Sequence, residues 1–527
     1  MKMFKLIFTS VFCAFYSASY AQSYTYSSYS TEAILFSQPT LNGTARITGL
    51  GGANVSLGGD ISSIGNNPAG LGFFNRSSWS VSSAMRLGLY ESAPVNGENK
   101  RNASGFNWQL PNMGLAFHQA FDDNSGWVSG TFGVGYNQQS YFFNGINYQS
   151  TIAAGDGVVQ DFVEYALAPF LDQNGDFLAY GTESAAEDAI FNDYYADLAF
   201  NAGLLNIYEN TTTGNYEIDR YDYDPNGYLT TEVSRREIIV TSGGLTTVDL
   251  AYGANYKDKL YVGGALNINF LNYEVNRDLR EIPNNALINS YTIEDNRILS
   301  GAGAGLTIGA IYKPISMLNL GLSYTTPSFM IIEERQTLTI TPSGNQFRER
   351  EIINEVPSYA FIKPQKVSLG ATVFLSKYGF LTTDITYVDY TTARYRSSQG
   401  AFASDEITVD QELKPAINAN IGAEARLGVF RLRAGYAYFQ SPFDNEFIED
   451  QYISDGNTSN DNESYTFQQD RSVISAGVGI IKNGFAFDAA VNIQNRNNAP
   501  IDAYSSGVLI NSSSNISTLR VSIGKSF

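Results

Sequence analysis

The sequence predicts an all-β protein: a transmembrane antiparallel β-barrel of about fourteen strands, its lumen filled by an N-terminal plug. Three observations point there. Only 16% of the 527 residues are charged, while Tyr (35), Phe (33) and Gly (48) are abundant, yet after the N-terminus no apolar run approaches the roughly 18–20 residues that a spanning helix needs. Segment after segment alternates apolar and polar residues with a period of two, the mark of a strand with two unlike faces. The connections between these segments alternate between short and long, as in bacterial barrels with tight periplasmic turns and large outer loops.

Residues 1–21 read as a secretory signal peptide, with Lys2 and Lys5 in a positive first region, an apolar core from Leu6 to Tyr16 and a small-x-small site at Ser19-Tyr20-Ala21. The mature chain is then expected to start at Gln22 without a cysteine, because the only one, Cys13, lies inside the signal. Disulfides and a lipid anchor are excluded on that reading. The formal charge of −19, more negative still once Lys2 and Lys5 are removed, speaks against nucleic acid as a partner and against adsorption to anionic lipid. Solvated loops such as Asp444 to Glu463 are expected to carry the excess.

Residues 22–77 are expected to form the plug. Within them the stretch from Thr44 to Leu71, TARITGLGGANVSLGGDISSIGNNPAGL, combines dense glycine with a regular apolar series: Ile47, Leu50, Val55, Leu57, Ile61, Ile64 and Leu71. Glycine permits sharp turns and close backbone approach, and Pro68 fixes one dihedral, so the segment reads as a compact packed coil rather than a solvated linker. The pattern Gly49-Leu50-Gly51-Gly52-Ala53, then Asp60, then Asn67-Pro68-Ala69-Gly70-Leu71 closely resembles the hatch signature of the FadL/TodX family of outer-membrane barrels. It departs at one point, where the usual acidic pair is reduced to Gly59-Asp60. The resemblance implies an outer-membrane barrel with a hatch that shifts, and passive uptake of hydrophobic small molecules such as long-chain fatty acids, without ATP or cofactor.

Residues 78–527 supply the barrel. From Leu260 the even positions Leu260, Val262, Gly264, Leu266, Ile268 and Phe270 form an oily face, and Tyr261, Gly263, Ala265, Asn267 and Asn269 a more polar one. The same period returns at Val367 to Leu375, Phe485 to Ile493 and Leu519 to Phe527. Strands are expected at about 78–90, 112–121, 127–142, 244–256, 260–275, 299–313, 318–328, 364–376, 380–396, 414–427, 430–439, 471–481, 485–495 and 516–527. Tight turns fall at Asp122 to Gly126, Lys257 to Lys259, Pro314 to Met317, Lys377 to Gly379, Gly428-Val429 and Lys482 to Gly484, which puts both termini on the periplasmic side of an outer membrane. The final Phe527 resembles the terminal signal read by the barrel-assembly machinery.

The longest connection, 143–243, exceeds an ordinary loop. Val158 to Phe170 and Ala185 to Leu205 show helical spacing and are expected to form short helices capping the outer mouth.

Enzymatic chemistry finds little material. The mature chain would hold one histidine, His118 in GLAFHQAF, which reads as filler facing the lumen; Cys nucleophiles, His/Cys metal clusters and a zinc hydrolase are excluded by inventory. Asp222-Tyr-Asp224-Pro-Asn226-Gly227 matches the first half of a calcium loop, but the closing glutamate position is Val233, with Glu232 one residue early. A tight turn is the reading the spacing favours there, and Asp172, Asn174 and Asp176 give a fainter echo. The glycines from Gly301 to Gly309 alternate with Ala302, Ala304, Leu306 and Ile308, a strand face with small inward residues and no phosphate loop. Passage of hydrophobic small molecules or lipid, which the resemblance implies, is the leading expectation. The alternative is a non-transporting scaffold barrel, since relatives sharing the hatch signature serve in Bacteroidota-type protein secretion, and other outer-membrane proteins would then be its partners.

Overall fold

The computed structural model describes residues 29–94, 100–121, 125–152, 157–159, 162, 180–191, 194–211, 214–220, 232–283, 290–343, 349–396, 413–443, 470–502 and 509–527. The expected signal segment, the calcium candidates Asp222, Asp224 and Asn226, the trio at 172–176 and the acidic stretch 444–463 lie outside these residues, as does most of 158–170.

The chain is a closed antiparallel barrel of fourteen wall positions. In chain order its strands are β1 (Ser78–Pro94), β2 (Arg101–Ala120), β3 (Trp127–Tyr141) and β4 (Asn144–Ile152), then a hairpin outside the wall, β5 (Leu205–Asn210) and β6 (Asn215–Arg220). They continue as β7 (Val233–Tyr256), β8 (Leu260–Pro283), β9 (Ser290–Ile315), β10 (Leu318–Thr325), β11 (Ser328–Ser343), β12 (Arg350–Lys363) and β13 (Lys366–Phe374). The last are β14 (Gly379–Val388), β15 (Arg394–Arg396), β16 (Ala416–Leu427), β17 (Phe430–Phe439), β18 (Arg471–Lys482), β19 (Phe485–Asp502) and β20 (Leu509–Ser526). Four positions are each built of two successive segments: β3 with β4, β10 with β11, β12 with β13 and β14 with β15. β20 closes on β1 from Ser78↔Ser526 to Pro94↔Ile510.

The barrel is inside out relative to a soluble one. Leu266 and Phe270 are 40% and 46% exposed, whereas Asn267 and Asn269 on the opposite face are 3% and 2% exposed. The oily face therefore meets lipid and the polar face lines the lumen. Leu369, Leu381, Ile421, Val478, Val491 and Val521 repeat this around the wall, all exposed. Among the described residues no helix is long and apolar enough to cross a membrane. Tight hairpins join the strands at one end. Lys257 and Asp258 (φ 53° and 54°) and Asn483-Gly484 (φ 53° and 79°) adopt the left-handed conformations that match two-residue turns to strand twist.

At the other end most strands run beyond the expected limits: β2 begins at Arg101 rather than 112, β7 at Val233 rather than 244, β9 at Ser290 rather than 299, and β19 ends at Asp502 rather than 495. The residues at 328–343 and 350–363 are likewise strand. The reason is a reversal of phase. Above the oily band Leu279, Ile293, Leu338 and Ile340 are buried, while Asp278, Glu294 and Arg280 are exposed, so apolar residues there point inward as in a soluble protein. On that apolar end sit α4 (Glu183–Phe191), α5 (Tyr194–Ala202) and the β5–β6 hairpin, burying Ala186, Ile190, Leu198 and Leu205 against it. The described residues of the connection from 143 to 243 include β4 and the start of β7 at its two ends.

One seam interrupts the wall. The β2–β3 ladder runs only from Ala120↔Ser129 to Asn112↔Asn137, although β2 stays paired with β1 as far as Arg101. Pro111, lacking an N–H, stands where the ladder stops. β3 then bends at Phe142-Phe143, and β4 moves over the luminal face of β1: Tyr90 Oη donates to the Phe143 carbonyl (3.1 Å), Ser92 Oγ to the Asn147 carbonyl (2.9 Å), and Asn147 N back to Ser92 Oγ (3.0 Å).

A charge on the oily face tests its contact with lipid. Leu369 lies between Leu322 on β10 and Ile385 on β14, so Leu369→Arg is expected to cost about 2–4 kcal/mol of stability in vesicles, measured by reversible denaturant unfolding with heat-modifiable gel mobility as the fold readout. A cost below about 0.5 kcal/mol would mean that this face does not meet hydrocarbon.

Candidate functional site

Residues 29–77 lie largely inside the barrel and are held by backbone contact. Three short helical pieces order them: α2 (Ala45–Gly49), α3 (Ser63–Asn66) and a 3₁₀ turn (Pro68–Phe73). Thr44 caps α2, its Oγ1 accepting from Ile47 N at 3.4 Å and donating to the Asp60 carboxylate at 3.1 Å. Asp60 Oδ1 accepts from Ser62 N (2.9 Å), and Ser62 Oγ accepts from Thr44 N (2.8 Å). The turn around Asp60 is thereby closed with a single carboxylate, and Arg46 Nη1 stands 3.6 Å from it.

Gly51 and Gly52 have φ of +66° and +84°, where a side chain is strained. Space forbids one as well, because a Cβ on Gly51 would stand 2.7 Å from Tyr436 N and 2.8 Å from its carbonyl oxygen. The wall reciprocates. A Cβ on Gly435 would stand 2.1 Å from Gly51 N, on Gly422 2.4 Å from the Leu50 oxygen, on Gly321 2.4 Å from the Val55 oxygen and on Gly253 2.4 Å from the Pro68 oxygen. Glycines of plug and wall face one another, and the plug backbone rests directly on the strands.

Side chains then lock the seat. Asp384 on β14 accepts two plug amides on one oxygen, from Asn54 (2.6 Å) and Val55 (2.9 Å). Asn420 donates to the Gly51 carbonyl at 2.5 Å, and Asn319 to that of Ser56 at 3.1 Å. Asn67 works within the plug: its Nδ2 donates to the Val55 oxygen (2.6 Å) while its Oδ1 accepts from Ala69 N (3.1 Å), which starts the turn at Pro68. Ala53, Ala69, Gly70 and Leu71 are buried, and a Cβ on Gly70 would fall 2.5 Å from Ser63 Oγ. Beneath Arg46, Glu424 accepts from Arg433 (2.8 Å) and Arg426 (3.0 Å), and Arg433 reaches Asp488 at 2.6 Å.

Beyond the plug toward the capped end is an apolar chamber, and a helix with no counterpart in the sequence-based expectation fills it. α1 (Tyr29–Ser37) buries Ala33, Ile34 and Phe36 among Leu245, Leu271, Met330, Ile332 and Phe361. The Phe36 ring centre is 5.5 Å from that of Phe142, 5.7 Å from Tyr273 and 6.0 Å from Phe361. Its one acid, Glu32, is buried and pairs with Arg297, which also pairs with Glu334; Tyr359 donates to Glu334 at 3.0 Å. A sequence signal exists in hindsight. Arg297 and Glu334 interrupt strands on the face opposite to lipid, where a charge needs a partner.

Gly49, Gly51, Gly52, Ala53, Asp60, Asn67, Pro68, Ala69, Gly70 and Leu71 are thus brought together inside the lumen. Phe527 is not among them. It is 62% exposed beyond β20, its N–H donating to the Ser77 carbonyl at 2.9 Å. His118 lies on β2 with Nδ1 3.3 Å from Thr131 Oγ1. Among the described residues no group of three or more His, Cys, Asp and Glu side chains is arranged to hold a metal.

Asp384 gives a direct test of the seat. Asp384→Ala leaves the Asn54 and Val55 amides without their acceptor, a penalty of about 1–3 kcal/mol for a buried group. Hydrogen exchange at those two amides is expected to rise by about tenfold or more while the barrel strands stay protected. Unchanged exchange would show that Asp384 does not hold the plug.

No family model matches the sequence, and no curated protein matches it. Solved structures do. The toluene transporter TodX of P. putida is similar over 93% of this chain and 99% of its own, at 13% identity with a TM-score of 0.51. A FadL homologue of Pseudomonas aeruginosa is similar over the same shares, at 12% identity and a TM-score of 0.51. At such identities the likeness is one of fold, and it extends along nearly the whole of each chain.

Proposed function

We propose that this chain is an outer-membrane barrel that passes hydrophobic small molecules by diffusion through its plugged lumen, with its tight turns on the periplasmic side. The observation that carries this reading is the filling of the lumen. A porin for ions or sugars needs an open aqueous path, whereas here a close-packed plug lies against the wall and an apolar cluster of Phe142, Leu271, Met330 and Phe361, packed around α1, lies beyond it. Such surroundings favour solutes that gain from leaving water. The seam beside Pro111 agrees with an apolar solute, because the β2–β3 ladder stops there near Phe106 and Trp108, both exposed. The fold likeness to a toluene transporter agrees with this substrate class, and long-chain fatty acids are the finer proposal within it.

A second reading, a scaffold barrel with protein partners, draws on the structured cap of α4, α5 and the β5–β6 hairpin, which presents a folded surface at the mouth. The two readings part at the plug. Replacing Gly51 and Gly52 together by valine forces both residues out of left-handed conformations and drives a side chain into the Tyr436 backbone. The barrel is expected to keep its heat-modifiable mobility, since its strands are closed on one another. Uptake of a hydrophobic probe into vesicles is expected to change at least about tenfold, falling if the path jams and rising if the plug is displaced. Normal uptake by well-assembled Gly51→Val/Gly52→Val protein would remove the gated passage reading. Negligible uptake by the unsubstituted protein would favour the scaffold.

A further inference from the structure

A groove opens on the lipid face of the wall at the tight-turn end. Phe121, Trp127 and Tyr252 stand at its sides, its floor runs over Ala254, Val262 and Gly264, and it holds about 560 Å³, within the range of small-molecule sites. Strand register explains it. Phe132, Tyr252, Gly264 and Ile308 form one outward row across β3, β7, β8 and β9, and Gly130, Ala254, Val262 and Ala310 form the next row toward the turns. Small residues in the second row, with Gly264 between two large side chains in the first, sink the surface there. Tyr252 leans across the second row, since a Cβ on Gly130 would stand 2.0 Å from its Oη and 3.0 Å from Phe121 Cζ.

Glycine serves two different ends in this patch. Gly253 and Gly263 face the lumen, and a Cβ on either would stand 2.4 Å from an atom of the Pro68 carbonyl, so the plug requires them. Gly264 faces outward. The nearest atom to a Cβ on it is the Thr307 carbonyl oxygen, at 4.0 Å, and its φ is not positive. Neither packing within the chain nor backbone conformation calls for glycine at 264; what glycine preserves there is room for something outside the chain.

The groove ends among aromatic and basic residues. Trp127 meets Tyr256 edge-on with ring centres 5.2 Å apart, a pairing suited to the level where a barrel wall passes from hydrocarbon to headgroups. Lys257 Nζ lies over the Tyr256 ring at 5.0 Å, and its Cε is 2.7 Å from where a Cβ on Gly126 would be, so the side chain lies back beside Trp127. Lys259 follows in the same turn, and both lysines are exposed. The acid between them is drawn aside: Asp258 Oδ1 accepts from Asn255 Nδ2 (2.8 Å), Asp258 N donates to Asn255 Oδ1 (3.0 Å), and Asn255 is buried. Among the described residues no carboxylate pairs with Lys257 or Lys259. An oily trough that leads to two unmatched cations at headgroup level is complementary to an anionic lipid.

We propose that this groove holds one acyl chain of an anionic diacyl phospholipid, with the lipid phosphate on Lys257 and Lys259. The site requires only that this face meets lipid, and it goes beyond the passage reading without resting on it. The bound chain lies one layer of backbone away from the Pro68 turn of the plug.

Quenching of Trp127 by brominated lipid tests the site in the full chain. The protein has three tryptophans, so Trp79→Phe/Trp108→Phe leaves Trp127 as the only emitter. In phosphatidylcholine vesicles doped with dibrominated phosphatidylglycerol or dibrominated phosphatidylcholine, the anionic lipid is expected to be preferred by about tenfold or more, the weight of two lysines beside an anionic headgroup. Lys257→Asn/Lys259→Gln is expected to bring the two lipids level; asparagine tolerates the left-handed backbone at 257. Gly264→Leu keeps both lysines, points away from the plug and fills the groove, so the preference is expected to vanish while heat-modifiable mobility stays unchanged. Native mass spectrometry of the unsubstituted chain, given both lipids in equal amount, is expected to show one retained phosphatidylglycerol.

An unchanged preference in Gly264→Leu would overturn the groove as the seat of the lipid. Equal quenching by the two lipids with both lysines present, or no retained phosphatidylglycerol, would overturn the headgroup contact. Quenching that falls as more protein is packed into each vesicle would assign the groove to a neighbouring barrel instead. Absent uptake of a neutral probe would count against passage alone and leave these readings legible.

Discussion

The plug stays in place because backbone touches backbone. At four of its closest seats a glycine stands on one side or both: Gly51 against Gly435, Leu50 against Gly422, Val55 against Gly321 and Pro68 against Gly253. Main-chain groups brought this close must be satisfied where they are, since no water can reach them. Asp384, Asn420 and Asn319 do so from the wall, and Asn67 from within the plug. Inward glycines also make the wall thin where the plug lies, so a barrel of ordinary strand number can enclose a segment of this length. Widening either surface by one methyl group would undo both effects at once.

The lumen uses its charges in two ways. Glu424 with Arg433 and Arg426, Glu32 with Arg297 and Glu334, and Glu281 with Arg235 are mutually neutralising sets that tie strands to plug, to α1 and to one another. A set of this kind stabilises little beyond an apolar substitute, yet loss of one partner is severe. It therefore fixes register and orientation more than it raises stability. Arg471 and Arg520 meet no carboxylate among the described residues and donate instead to the carbonyls of Pro39, Leu41 and Gly43.

The sequence made much of this legible, and the limits have a physical origin. Alternation located Leu318 to Thr325, Ala416 to Leu427 and Phe430 to Phe439 closely, because in those strands one face meets lipid and the other the polar lumen. It stopped short at Val233, at Ser290 and along Ser328–Ser343 because the phase reverses where a strand leaves the oily band; Leu338 and Ile340 point inward where Phe329 and Ile331 point out. A pattern read for one phase cannot see the other. Helical spacing after Ala185 corresponds to α4 and α5. Nothing local announces α1, whose only acid is explained by Arg297, 265 residues away along the chain, and the wall glycines look like ordinary small strand residues until the plug is laid against them.

The hydrogen bond from Ala45 N to Ser522 Oγ, at 2.7 Å, joins residues 477 positions apart, and it belongs to a wider pattern. α2 is seated on β17, β18, β19 and β20, the last strands to be made, although it is among the first structured pieces to leave the ribosome. Its seat does not exist until the chain is complete. Contacts of such long range are slow to form because a large loop must close before they contribute. The plug must therefore wait unfolded or loosely held while the wall grows, and be enclosed as β20 meets β1. The final ladder of this protein thus also completes the receptacle for its earliest segment.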